Sequence, residues 1–368
     1  MFYPSTLILS IFISCIFISC FLLRKINIKN EKFDSLSRQS PLDGLRGLLA
    51  LSVLVHHFAF TYNWKTLGIW MKPESNVLNN LGAIPVSLFF IITGYLFFNK
   101  VIYTKDINWK NLYLSRFKRI VPLYFFVTII LIIITFFSMN FFRDIDKDVI
   151  FVWLINWFFF KGGPLLDFKS NLIISGVNWT LLYEWAFYFS LPLFHLIIQK
   201  RRINKLLLII TFLILIAIIS KTQLHLYFLF LLAIPSILCK QDIKEIILKN
   251  KLILNIFTSL LIIYCLIFTL AYSLIQKLLV AIIFILICNG ISLFGLLNNI
   301  QIKILGDISY SIYLTHGLVL YFIFSILNLY DFKNGLINYY FYFPIIFFIV
   351  IVLSILTYLF IERPFLRK

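Results

Sequence analysis

Charge is scarce in this chain, and acidic charge scarcer still. Of 368 residues only 13% are charged, and fifteen acidic side chains face thirty-three Lys and Arg. A soluble domain carries about twice that share of charged residues. No stretch is both polar and long enough to form a separate soluble domain. Ten-residue segments alternating polar and apolar are missing too, which excludes a membrane β-barrel. The five cysteines, Cys15, Cys20, Cys239, Cys265 and Cys288, have neither zinc-finger nor redox spacing and read as small packing residues. There is no internal repeat.

What is present is hydrocarbon. Hydrophobic residues make up 61% of the chain, mean hydropathy is +0.97, and apolar runs of about 18 or more residues recur from end to end. The expectation is an all-α, polytopic integral membrane bundle of about eleven helices. The spans fall near 4–23, 42–61, 82–99, 120–139, 179–198, 206–220, 225–239, 252–271, 274–297, 304–327 and 342–361. The stretch 149–160 is too short to cross, is broken by Lys161-Gly162-Gly163-Pro164, and reads as an interfacial or re-entrant piece. The first run resembles a signal peptide, but its positive charge follows the apolar stretch and no small-residue cleavage site closes it. A retained helix is expected.

The net charge of +18 does not point to nucleic acid, because the basic residues sit in short clusters between spans. Alternate loops hold 23 and 9 Lys and Arg, with acidic residues split evenly. The richer set belongs in the cytoplasm, so the amino terminus lies outside and the carboxyl terminus inside.

One helix carries charge where none is affordable. "PLDGLRGLLALSVLVHHF", Pro41–Phe58, is apolar enough to cross a membrane yet holds Asp43, Arg46, His56 and His57. Each ionisable group at the centre of a bilayer costs roughly 2.5–3.5 kcal/mol on insertion scales. At about 100° per residue, Arg46 and His57 differ by about 20° after three turns and lie about 16 Å apart along the axis. Asp43 shares their stripe, and His56 lies about 80° off it. Such a stripe faces protein or water rather than lipid. Taken singly, Asp43 also reads as a cap, Arg46 as a snorkelling side chain and His57 as a packing residue.

"LDGLRGLLALSVLVHHF" resembles the opening signature of the bacterial membrane acyltransferase-3 family, with His57 on the family histidine. Further elements follow in family order. "SLFFIITGYLFF" (Ser87–Phe98) has Thr93 for the usual Ser, and "SRFKRIVPLY" (Ser115–Tyr124) supplies Arg116, Arg119 and Pro122. "NWTLLYEWAFY" (Asn178–Tyr188) places Glu184 at the acid position. "LGDISYSIYLTH" (Leu305–His316) and the closing "IERPF" (Ile361–Phe365) complete the set. The resemblance spans residues 41–366 as one membrane domain. Residues 1–40 are then an additional amino-terminal helix and a basic cytoplasmic linker outside a core of about ten helices. Some relatives carry an esterase-like domain after the core, and this chain, ending after Glu-Arg-Pro, is expected to lack one.

The resemblance implies an O-acyltransferase of the bacterial cytoplasmic membrane. It would move an acyl group, commonly acetyl from acetyl-CoA consumed as substrate, onto a cell-surface glycan or lipid-linked saccharide such as lipopolysaccharide or exopolysaccharide. No metal and no nucleic acid are implied; membrane lipid is, and a homo-oligomer is compatible with it. His57 is the candidate base, an imidazole being suited to proton transfer near neutral pH. A covalent acyl-histidine is a further option. Glu184 and Asp43 join His57 as catalytic candidates. Glu184, counted from the outer end of its helix, is expected at the depth of His57, paired with it or with the acceptor hydroxyl. Arg46, Arg116 and Arg119 are candidates for the donor's phosphates, although the latter pair also reads as ordinary positive-inside anchors. Ser309, Tyr313 and His316 fall on one helix face and either line the acyl arm's path or bond between helices. Gly94 reads as a close-packing position, and Glu362 with Arg363 as a terminal lock. A transporter or flippase of lipid-linked sugars, with Asp43, Glu184 and His57 as a proton relay, is the competing reading.

Overall fold

The computed structural model describes residues 2–25, 40–139, 145–199, 209, 224–239 and 241–366. Apart from residue 209, the expected span at 206–220 lies outside the described residues, as does the basic linker at 26–39. Among those described, the chain is helical throughout, with no strand.

The helices are α1 (Phe2–Lys25), α2 (Pro41–Leu67), α3 (Asn76–Tyr103), α4 (Trp109–Ser138), α5 (Lys147–Phe158) and α6 (Trp179–Gln199). There follow α7 (His225–Ile237), α8 (Gln241–Lys249), α9 (Lys251–Phe268), α10 (Leu274–Cys288), α11 (Ile300–Asp307), α12 (Ser309–Ile326) and α13 (Leu336–Leu366). Among the described residues eight helices are long and apolar enough to cross a membrane, nine if the bent pair α7–α8 counts as one. Their flanks stay greasy: Ile133 and Phe137 on α4 and Leu252 and Leu260 on α9 are exposed, as lipid-facing side chains are.

Local chemistry sets the helix starts. Ser40, Ser75, Asn108, Ser273 and Asn299 each accept a backbone N–H of the first turn that would otherwise lack a partner. Two expected spans come out differently. The run 274–297 is helical only to Cys288, because Gly290, Leu293, Phe294 and Gly295 all adopt positive φ. The run 304–327 is divided at Ile308, which has φ of −87° and ψ of 6°, into α11 and α12, and both pack on α2.

Helix α3 occupies the centre, packed by α2, α6, α7, α9 and α10, while α12 is held between α2 and α13. Gly94 does permit close approach: a Cβ there would stand 2.2 Å from the Phe230 carbonyl oxygen. Helix α1 rests on α13 at the edge, with Phe12 against Phe343 and Phe347.

Asn80 of α3 is wholly buried and closes the end of α9. Its Nδ2 donates to the carbonyls of Cys265 (3.1 Å), Leu266 (3.0 Å) and Thr269 (2.7 Å), and its Oδ1 accepts from Gln276 Nε2 (2.9 Å). These are carbonyls that a helix end leaves unpaired. Asn80→Ala removes the donor shared by these carbonyls and one partner of the Gln276 amide, whose Nε2 keeps its 2.8 Å bond to Thr269 Oγ1. A loss of about 1–3 kcal/mol is expected, read as a lower midpoint of thermal unfolding in detergent.

The segment after α5 positions the site. Trp153 Nε1 and Ser170 Oγ both donate to the Gly163 carbonyl, at 3.1 and 2.7 Å, and fold the chain back on itself. A 3-10 turn at Ser170–Ile174 then presses against α12, where a Cβ on Gly317 would lie 2.3 Å from the Ile174 carbonyl carbon. Helix α6 therefore begins beside the middle of α12.

Candidate active site

Helices α2, α3, α4, α6 and α12 enclose a cavity of about 850 Å³, its open mouth included. Arg46, Arg116 and Arg119 line it, with Glu184 of α6, Thr93 of α3, and Ser309 and Tyr313 of α12. Three guanidiniums and one carboxylate, Glu184, line this space, while Asp43, Asp307 and Glu362 act on Arg46 or Arg119 from behind the wall. Thr93 Oγ1 donates to Glu184 Oε1 at 3.5 Å and Tyr188 OH to Oε2 at 3.4 Å. The Arg116 guanidinium also sits 5.1 Å over the Phe97 ring, which holds it against the wall. Cations in excess inside low-dielectric walls concentrate anions, and forked guanidiniums suit phosphate oxygens. Ser309 Oγ is buried at this wall without a hydrogen-bond partner.

The stripe on α2 divides between two places. Arg46 opens into the cavity. Asp43 is buried at the α2–α11 crossing, where its charge acts on Arg46 and its Oδ2 has no hydrogen-bond partner. It lies fourteen residues, about 21 Å of helix, from His57. His57 meets His316: Nδ1 of the first stands 2.8 Å from Nε2 of the second, with the rings 14° from parallel. His56, off the stripe, bonds the Leu78 carbonyl at 2.7 Å over the bare backbone of Gly82. The rings of Trp70 and Phe60 flank His57 at 6.2 and 6.3 Å.

Glu184 is not where the count from its helix end put it. The turn at Ser170–Ile174 starts α6 beside Tyr313, whose hydroxyl shares a 2.9 Å bond with Thr180 Oγ1. Glu184 then lies in the arginine cavity, and its bonds go to Thr93 and Tyr188 rather than to His57. His316 differs as well. Ser309 and Tyr313 line the cavity as expected of that face, but His316 sits seven residues, about 10 Å, beyond Ser309 and pairs with His57. Between the cavity and the histidines stand Tyr313 and Phe89, whose rings are 6.2 Å apart. Tyr313 in turn lies 6.3 Å from the His316 ring. Tyr188 and Tyr310 also stand in the cavity wall; neither is among the site candidates above, although both fall inside the quoted motifs Asn178–Tyr188 and Leu305–His316.

Glu362 is buried and accepts a hydrogen bond from Ser311, which Thr357 also bonds at 3.0 Å. That contact ties α13 to α12 in the manner of a lock.

A helical membrane bundle with a cationic cavity on one side of a histidine pair is suited to hold an anionic donor near a proton acceptor. Residues 41–359 match the acyltransferase-3 family, described as an acyltransferase domain, and the chain belongs to that family. Over 177 residues it is 28% identical to the peptidoglycan O-acetyltransferase OatA of Listeria monocytogenes, covering 46% of this chain and 26% of that protein. Over 198 residues it is 28% identical to the putative peptidoglycan O-acetyltransferase YrhL of Bacillus subtilis, covering 50% of this chain and 28% of the relative. The matches thus span little more than a quarter of the length of these curated relatives. No solved structure matches the chain.

Proposed function

We propose that this protein is an integral-membrane O-acyltransferase that moves an acetyl group from acetyl-CoA to a hydroxyl of a cell-wall glycan. The observation that carries this reading is the placement of Arg46 and His57 on one face of α2, the first in the arginine cavity and the second against His316. The peptidoglycan-acting relatives favour a peptidoglycan strand or its lipid-linked precursor as acceptor over lipopolysaccharide or exopolysaccharide.

The positive-inside bias puts the starts of α2, α4 and α12, and with them the cavity, towards the cytoplasm where acyl-CoA is made. Arg46, Arg116 and Arg119 bind the donor's phosphates, and Ser309 and Tyr313 border the route of its acyl arm past Phe89. Asp43 holds Arg46, and Glu184 spaces the guanidiniums. The acceptor reaches His57 from the opposite side of the membrane. The imidazole removes the hydroxyl proton as the oxygen attacks the thioester carbonyl. The C–S bond then breaks, and the thiolate leaves to take up a proton, giving the ester and free thiol.

Proteoliposomes holding the purified protein, given acetyl-labelled acetyl-CoA outside and a muropeptide or lipid-linked disaccharide inside, test this. Labelled, alkali-releasable ester on the saccharide is expected. Passage of unmodified saccharide with no ester formed would replace the enzyme with a transporter. Arg119→Ala is expected to raise KM for acetyl-CoA by about 10- to 100-fold, the worth of a charge-assisted hydrogen bond to phosphate, with a smaller change in kcat. Steady-state kinetics with varied donor check it.

A further inference from the structure

A neutral imidazole has one N–H and one lone pair, and its hydrogen bonds decide which nitrogen carries which. The two histidines at the far end of the α2 stripe form a chain whose polarity is fixed at one end. His316 Nδ1 lies 2.9 Å from the carbonyl oxygen of Ile312. That oxygen only accepts, so Nδ1 of His316 holds the proton. Its Nε2 therefore presents a lone pair, and the atom 2.8 Å away is His57 Nδ1. Two lone pairs do not face each other at that distance, so His57 donates through Nδ1–H. The lone pair of His57 is left on Nε2. The reverse polarity needs an imidazolium at His316, which is wholly buried and whose hydrogen bonds run to a neutral carbonyl and a second imidazole.

We propose that His316 is a positioning residue that holds His57 in the tautomer whose basic atom is Nε2, the Ile312 carbonyl anchoring the chain. The proposal rests on the reading of His57 as the base. It adds which atom receives the hydroxyl proton and what keeps that atom unprotonated beforehand. When Nε2 takes the proton, His57 Nδ1–H becomes a charge-assisted donor to a neutral acceptor already in place, so no group has to reorient during transfer. The geometry is supported on both sides. The α2–α11 crossing sets the register of α2 along the adjoining α12, and His56, locked to Leu78 beside Gly82, prevents α2 from rotating.

The experiment combines kinetics with nitrogen NMR of the full chain. Protein with nitrogen-15 histidine is reconstituted in lipid, and the His57 resonances are identified by their loss in His57→Phe. Wild-type His57 is expected to show a protonated Nδ1 and an unprotonated Nε2 at neutral pH. His316→Leu removes the acceptor. It should abolish that preference and lower kcat at least about 10-fold and up to about 10⁴-fold, the loss seen when a catalytic histidine is left in the wrong tautomer, with KM for acetyl-CoA little changed. His316→Gln restores an acceptor oxygen near the Nε2 position and should recover both the NMR signature and most of the rate. Thermal unfolding of each variant separates these effects from loss of the fold. A protonated Nε2 on wild-type His57 overturns the proposal. So does a folded His316→Leu protein with wild-type kcat. An intact Nδ1–H signature in a wild-type protein that transfers no acyl group upholds the tautomer assignment and overturns only the enzymatic reading.

Discussion

Replacing His57 by Ala is expected to reduce acyl transfer by about 10²- to 10⁴-fold, the range that a general base contributes. The protein should still insert and bind donor. Arg46 lies eleven residues away on the same helix, about 16 Å, and the arginine cavity does not include His57. Donor KM therefore stays near its original value while kcat falls, the pattern of an interaction made in the transition state. The substitution also removes ring contacts to Trp70, Phe60 and His316, so a modest drop in unfolding temperature accompanies it. Initial rates of label transfer at saturating and limiting acetyl-CoA check the split. Undiminished kcat in the folded variant would remove His57 from the chemistry and leave the α2 stripe without its proposed purpose.

Helix periodicity carried the reading a long way, because it operates within one element. Arg46 and His57 share a face after three turns, and Ser309 and Tyr313 share another, whatever the helices pack against. The same arithmetic failed where it needed the position of an element in the membrane. Counting Glu184 from the outer end of α6 requires the preceding loop to stay outside. The turn at Ser170–Ile174 instead packs against Gly317 of α12, and a loop's path depends on long-range contacts that no local pattern encodes. The His57–His316 pair was out of reach for a related reason. It depends on the register of α2 against α12, across 259 residues of sequence. Close-packing glycines show the same limit, because a sequence pattern marks the glycine and not its neighbour. Gly94 was identified as a packing position without Phe230 as its neighbour, and Gly47 and Gly306 were not connected at all.

Those two glycines carry the largest expected effect on the fold. Helix α11 crosses α2 backbone against backbone. A Cβ on Gly306 would stand 1.9 Å from the Asp43 carbonyl oxygen, and one on Gly47 would stand 2.7 Å from the Gly306 nitrogen. Nearby, a Cβ on Gly44 would reach 2.2 Å from the Leu297 carbonyl oxygen. Small residues at such crossings let helices approach in a membrane, where packing rather than water exclusion drives association. A side chain in the way cannot be relieved by a rotamer change, because the obstructing atoms are main chain on both sides. Gly306→Ala should therefore exceed the roughly 1–3 kcal/mol of ordinary overpacking. Gly306→Leu should prevent accumulation of folded protein. The damage should also reach function, since pushing α11 off α2 shifts Arg46 against the cavity and His57 against His316. Gly68 is the contrast. It adopts φ of 72° with nothing within 4 Å of its missing Cβ, so Gly68→Ala meets only the dihedral penalty of about 1–2 kcal/mol. Thermal unfolding in detergent and donor binding, measured on both alanine variants, should separate them. Gly306→Ala is expected to lose stability and donor affinity together, whereas Gly68→Ala loses a little stability alone. A Gly306→Ala protein as stable as Gly68→Ala would mean that the two backbones lie farther apart than this crossing requires.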